Sequence, residues 1–277
     1  MENRIDAIRK EADKGCATAQ YNYAKLLLYG KGVRKNKKLA IELLEKAINQ
    51  GYLKAKYFLG LLEHNSRDTF EQGYQRILET ADAGLMEAQE TIADIFYHFR
   101  KKGNFDLAYK YYKMAGDQGS VTADISLAQL LYDTRYYEEV KKASKKNTAQ
   151  VKTSINEDMS IYLKRVCELR TKEDILIYLR RASERGSQKA QLMLANTLFT
   201  GAETIEKDEK EAVKWYKILA ENNEGYSQLT LGKVYYEGEI VEMDIEKSFQ
   251  YLTLASKNKA LDAEFRQEAK ELLAKLF

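Results

Sequence analysis

The sequence predicts an all-α chain built from stacked pairs of short helices. Three observations carry this reading: proline is absent from all 277 residues, a short alanine and glycine motif returns at near-constant intervals, and the apolar residues between its copies keep helical spacing. Average usage near 5% would place about 14 prolines in such a chain, and proline is the residue that helix interiors exclude most strongly. Twenty tyrosines beside nine phenylalanines and one tryptophan supply side chains that bury a ring and keep a hydroxyl in water. That suits a thin architecture with much surface.

The first expected element is a leading helix over Asn3 to Asp13. The motif starts at its end, where Ala12 to Gly15 lead to Ala19, Gln20 and Tyr21. It returns as Ala47 to Gly51 followed by Ala55, Lys56 and Tyr57, as Ala81 to Gly84 followed by Ala88 and Gln89, as Ala115 to Gly119 followed by Ala123, and as Ala182 to Gly186 followed by Ala190 and Gln191. Weaker copies place Asn147, Asn223 and Lys259 at the glycine position. The intervals are 36, 33, 35, 28, 39, 37 and 36 residues, each the length of a helix, a loop and a second helix.

In the first interval, helix A carries Ala19, Tyr23, Leu26 and Leu27, the loop runs from Gly30 to Asn36, and helix B carries Ala40, Leu43, Leu44, Ala47 and Ile48. This is the three-and-four spacing of an amphipathic helix, twice over. A glycine just past the last turn accepts the left-handed conformation that ends a helix, and Asn is its usual substitute. Ala24, Gly60, Ala93, Ala128, Ala195 and Gly232 recur at one place on helix A, where a small side chain lets a neighbouring helix approach. A last helix, Leu261 to Leu276, carries Arg266, Glu268, Lys270, Glu271 and Lys275 on a polar side, as a terminal cap requires. The expectation is a single domain over 1–277 with about seven helix pairs, irregular near 140–170.

Composition narrows the function. A formal net charge of +3, from 45 basic and 42 acidic side chains, gives no strong field towards nucleic acid or a membrane surface. Met1 to Lys14 mixes acids and bases without the apolar run of a secretion signal, and no apolar stretch approaches a membrane span, so a cytoplasmic address is expected. Cys16 and Cys167 are too few for a disulfide framework or a Cys-based zinc site, and both read as ordinary buried thiols. His64 and His98 fall near the ends of successive A helices, but neither a third ligand nor a nucleophile and base accompanies them. Gly30, Lys31 and Gly32 lack the preceding strand and full spacing of a phosphate-binding loop. The expectation is therefore no enzyme, no cofactor and no metal. Basic runs at Lys31 to Lys38 and at Lys141 to Lys152 are candidates for contact with an acidic partner.

Gln20-Tyr21 with Gly60 or Gly232 in helix A, Gly30-Lys31-Gly32-Val33 in the loop, and Ala212 with Trp215-Tyr216 in helix B resemble the Sel-one-like repeat (SLR) consensus of the tetratricopeptide-like superfamily. The resemblance runs over almost the whole chain, from Arg4 to Phe277, and breaks between Val140 and Arg170. It implies a right-handed α–α superhelix whose concave surface, lined by A helices, binds a segment or domain of a partner protein. Inward positions projected from that geometry include Tyr21, Lys25, Tyr57, Leu61, Asp94 and Tyr97. They continue with Gln129, Tyr132, Asn196, Phe199, Lys233 and Tyr236. Tyr97 and Tyr132 are the expected anchors, with Asp94 and Gln129 fixing orientation. The function implied is an adaptor or regulator: a signalling, host-interaction or toxin-neutralising immunity protein. The alternatives are an enzyme with an unrecognised site or a cell-envelope scaffold.

Overall fold

The computed structural model describes residues 2–98, 105–131, 173–201 and 205–276. Among them regular structure is helix throughout, in fourteen helices without a strand. Cα proximity divides the chain into two compact bodies, Met1–Ser120 and Val121–Phe277. The first holds α1 (Glu2–Asp13), α2 (Ala17–Tyr29), α3 (Lys37–Asn49), α4 (Leu53–His64), α5 (Phe70–Asp82), α6 (Met86–His98) and α7 (Phe105–Asp117). The second holds α8, described over 121–131, then α9 (Glu173–Glu184), α10 (Gln188–Thr200), α11 (Glu209–Glu221), α12 (Gly225–Glu237), α13 (Ile245–Lys257) and α14 (Ala263–Lys275).

The helices pack as hairpins, α2 on α3, α4 on α5, α6 on α7, α10 on α11 and α12 on α13, and successive hairpins stack on one another within each body. The expected leading and closing helices are α1 and α14. In the first hairpin Ala24, Leu27, Ala40, Leu43, Leu44 and Ala47 are all buried, so the inward face read from the spacing is the face that packs. Every small residue proposed as a close-approach point is buried: Ala24, Ala93 and Ala195 are 0% exposed and Ala128 is 1% exposed. A Cβ added to Gly232 would lie 2.6 Å from Leu252 Cγ. The tightest crossing, between α4 and α5, rests on a residue the sequence reading passed over. A Cβ on Gly73 would stand 2.1 Å from the backbone nitrogen of His64.

Helix ends follow local chemistry. Second helices start where a loop side chain accepts from the free N–H groups of the first turn: Asn36 from Leu39, Asp208 from Glu211 and Asp244 from Lys247. They end as expected at Gly51 (φ +80°) and Gly84 (φ +95°). Among the described residues Asn223, with φ 63°, is the only non-glycine at positive φ, and it stands where the sequence puts Asn in place of glycine. Lys259 does not take this conformation: the last hairpin closes instead through Asn258, extended at φ −72° and ψ 108°, whose side-chain amide donates to Asn223 O at 2.9 Å. Cys16 also departs from expectation. It occupies the N-cap of α2, between one helix and the next rather than on a packed face, and is exposed. Cys167 lies outside the described residues.

A buried polar ladder ties helix A to both the preceding and its own helix B. Gln20, Gln89, Gln191 and Gln228 each donate to a carbonyl in the last turn of the helix before, on Ala12, Ala81, Ser183 and Ala220, at 3.1–3.4 Å. Three of these glutamines then accept, through Oε1, from an amide at the end of their own hairpin: Gln20 from Gln50 at 2.8 Å, Gln89 from Gln118 at 2.7 Å and Gln228 from Asn258 at 3.1 Å. Each rung satisfies helix-end carbonyls that would otherwise be buried without donors.

A further contact of this kind is ionic. Asp124 stands at the glutamine position of α8 and Arg185 at the amide position after α9. Arg185 Nη1 lies 2.6 Å from Asp124 Oδ2, and Arg181 donates through Nε to Oδ1 and Oδ2 at 2.9 and 2.8 Å. The pair brings α8 and α9 into contact. Asn147, read as the end of a separate repeat, lies outside the described residues, as does the irregular stretch around it. Five hairpins of consecutive helices are present among the described residues.

Candidate functional site: the face of the first helices

The first helix of each hairpin presents one side to its counterpart in the next. In the first body Tyr57 Oη, on α4, lies 2.7 Å from Thr91 Oγ1 on α6, and Lys54 pairs with Glu87 at 3.2 Å between the same helices. Burial raises the Tyr57 phenol above its ordinary value. Tyr57 thus lies between α4 and α6, and the other proposed inward residues have different surroundings.

Tyr21 and Lys25 come together with a residue the projection did not include, Phe58. The Tyr21 ring centroid is 5.8 Å from that of Phe58 and 5.5 Å from that of Tyr52. Lys25 Nζ lies 5.1 Å from the Tyr21 centroid and 5.7 Å from the Phe58 centroid, a cation held over ring faces. Leu61 is half-buried on α4. Tyr97 is half-buried at the end of α6, its ring 5.2 Å from His98 and 6.4 Å from Phe105. His64 stacks on Phe70 at 4.3 Å.

Two polar positions are engaged inside their own hairpins. Asp94 accepts from Tyr112 Oη at 2.5 Å and Asn196 accepts from Tyr216 Oη at 2.7 Å. Both bonds tie the middle of helix A to the second aromatic of the helix B motif. In the second body Phe199 packs edge-on against Tyr216 at 5.7 Å, Lys233 pairs with Glu268 of α14 at 2.6 Å, Gln129 is exposed and Tyr236 is 37% exposed. Tyr132 falls outside the described residues. The anchor pair Tyr97 and Tyr132 is therefore half placed.

At the start of the first body α1, α2 and α4 enclose an open groove of about 1000 Å³. Ile5, Ile8 and Leu26 give it an apolar lining continuous with the core of the first hairpin. Tyr29, 52% exposed, and Phe58 stand at its side with centroids 6.5 Å apart. Among the described residues Arg4, Lys25 and Lys31 are its charged lining, with no carboxylate beside them. The signal that points here in the sequence is a segregation of charge: between Asp13 and Glu42 there are seven basic side chains and no acidic one. Among the described residues no three His, Cys, Asp or Glu side chains gather as metal ligands would. No helix there is long and apolar enough to cross a membrane.

The Sel1 repeat family model matches residues 17–52, 95–120, 188–224 and 225–259, segments that overlay the hairpins α2–α3, the end of α6 with α7, α10–α11 and α12–α13. The chain carries Sel1 repeats. The hairpin α4–α5, which the family model leaves unmatched, carries Lys56 where other first helices carry the ladder glutamine. Solved structures share the fold. A protective antigen present in uropathogenic Escherichia coli strains and displaying an SLR fold aligns over 98% of this chain at 21% identity, with a TM-score of 0.57. This chain spans 55% of that protein's length. A Sel1 repeat protein from Oxalobacter formigenes aligns over 88% of both chains at 18% identity and a TM-score of 0.52. At these identities the likeness is one of fold.

Proposed function

We propose that this Sel1 repeat chain is an interaction scaffold that seats a partner protein, as a segment or a domain, on the side formed by the first helices. The observation that carries the reading is the set of rings left half-open at repeated positions on the first helices of each body: Tyr21, Tyr57 and Tyr97 in the first, Phe199 and Tyr236 in the second. Aromatic residues kept partly accessible on rigid helices are the side chains that most often anchor protein interfaces. Stacked helix pairs present such positions in a row, which suits an extended ligand. Asp94 and Asn196 contribute by holding the hairpin that supports each ring.

The test is affinity capture on the tagged full chain, followed by titration of the captured partner against variants. Tyr97→Ala combined with Tyr236→Ala should weaken binding by about 2 kcal/mol or more while the helical circular dichroism spectrum stays unchanged. Lys110→Ala with Lys214→Ala, on the second helices, should leave affinity within about 0.5 kcal/mol. Loss in the lysine pair with retention in the tyrosine pair would move the site to the other side of the stack.

A further inference from the structure

The groove at the start of the first body allows the partner's chemistry to be named, on the footing of the protein-binding role proposed above. We infer that it takes an acidic polypeptide segment, in which Asp and Glu side chains flank a large apolar residue. Arg4, Lys25 and Lys31 reach this groove, and none of them makes an ion pair with a described acidic side chain. Other cations on the described helices are neutralised, among them Lys54, Lys56, Arg76, Arg180 and Lys233, whereas these three converge unpaired on one groove.

Two of the three free cations are already in place. Lys25 lies over Tyr21 and Phe58, and Lys31 Nζ lies 5.7 Å from the Tyr29 centroid. A cation resting on a ring face keeps its full charge and its remaining N–H donors, so a carboxylate adds to the arrangement without displacing an existing anion. Beneath the charges, Ile5, Ile8 and Leu26 with the exposed flank of Tyr29 offer apolar surface to one large side chain. With no carboxylate among its described lining residues, the groove gives a basic segment nothing there to pair with, and a neutral one would leave three cations unused. Acidic character in the ligand and an apolar anchor are both required by the same pocket.

The experiment selects short random peptides displayed on phage against the full chain, then measures fluorescein-labelled copies of the best binders by anisotropy. Enriched peptides should carry several acidic residues around Leu, Phe or Trp. Their affinity should fall at least about ten-fold in Lys25→Glu with Lys31→Glu, and should weaken as salt is raised. Both lysines lie outside the core and make no ion pair, so the variant should keep the wild-type circular dichroism spectrum. Enrichment of neutral or basic peptides, or acidic peptides bound equally well by the variant, would overturn the inference. Peptides lost only on Tyr97→Ala with Tyr236→Ala would leave the scaffold role standing and remove it from this groove. Failure to capture any peptide or any protein would sink both readings. A dimer in sedimentation that the lysine variant dissolves would make a second copy the occupant, and would equally overturn the acidic-segment assignment.

Discussion

Replacing Asp124 by Gln tests the buried ion pair that joins α8 to α9. The carboxylate is 0% exposed, while the side chains of Arg181 and Arg185 that hold it are 27% and 32% exposed. Breaking a buried ion pair from one side usually costs about 3–5 kcal/mol, because the partner charge is left uncompensated. Here both guanidiniums retain access to water and can rehydrate, which places Asp124→Gln at the low end, about 3 kcal/mol. Arg185→Gln should cost less, about 1–2 kcal/mol, since Arg181 still neutralises the carboxylate. The double variant recreates the amide pair that Gln20 and Gln50 form at 2.8 Å, so its cost should fall short of the sum by at least about 1 kcal/mol. Trp215, the only tryptophan of the chain, sits on α11 of the same body and reports urea unfolding by fluorescence without interference from the first body. Additivity within about 0.5 kcal/mol would mean that the two sites are uncoupled, and the contact between Asp124 and Arg185 would be wrong.

Gly73→Ala should destabilise despite a gain of about 1 kcal/mol in helix propensity, because its methyl would meet backbone of α4, which cannot rotate away; a net loss of about 1–3 kcal/mol or more is expected. Gly60→Ala at the same crossing meets Ile77 Cγ1 at 3.0 Å, a side-chain atom that can shift. Equal melting temperatures for the two variants would refute the asymmetry. Gly232→Leu should cost about 1–3 kcal/mol by overpacking against Leu252, and a thermal melt like that of the wild type would show that the α12–α13 contact is wrong. For Glu211, the bond from Arg180 holds the carboxyl below its ordinary 4.5. A carboxyl depressed in the folded state adds stability above its unfolded value and loses it as pH falls through the folded one. Unfolding free energy should therefore drop on acidification below about pH 5, with about 1 kcal/mol from this pair, and Arg180→Ala should flatten that portion. An unchanged acid slope in the variant would refute the assignment.

The helix-pair plan was legible in the sequence because one requirement, a turn closed in the left-handed region, repeats on glycine and once on Asn223. The close-approach positions were legible for the same reason, a small residue at a fixed place. Gly73 was not, since it lies on a second helix where the other hairpins carry larger side chains, and only the backbone positions of α4 and α5 show what it avoids. The role of the glutamines was hidden although the residues were noticed. A Gln at a repeated position does not disclose that it accepts from an amide about 30 residues later. The register near 140–170, irregular in the sequence, lies outside the described residues. At the site, Tyr21 and Lys25 were found by projection from the family geometry, but the groove depends on Arg4 from a helix outside any hairpin and on Phe58 at an unprojected position.

The ladder also bears on how such a chain avoids assembling in the wrong order. Hairpins of nearly equal length and similar apolar faces can exchange places during folding, and tandem arrays are prone to that error. Apolar contacts alone would resist it weakly, since a leucine packs acceptably against many neighbours. A rung discriminates more sharply. Were α9 to dock on α2 or α6, Arg185 would face a neutral glutamine, and Asp124 would be buried against an amide with no cation beside it, each a costly mismatch. An ionic rung among amide rungs therefore marks its place in the second body, as Lys56 paired with Glu79 at 2.7 Å marks one in the first. A chain whose repeats otherwise look alike carries, at that place, a pairing that only the correct order can complete.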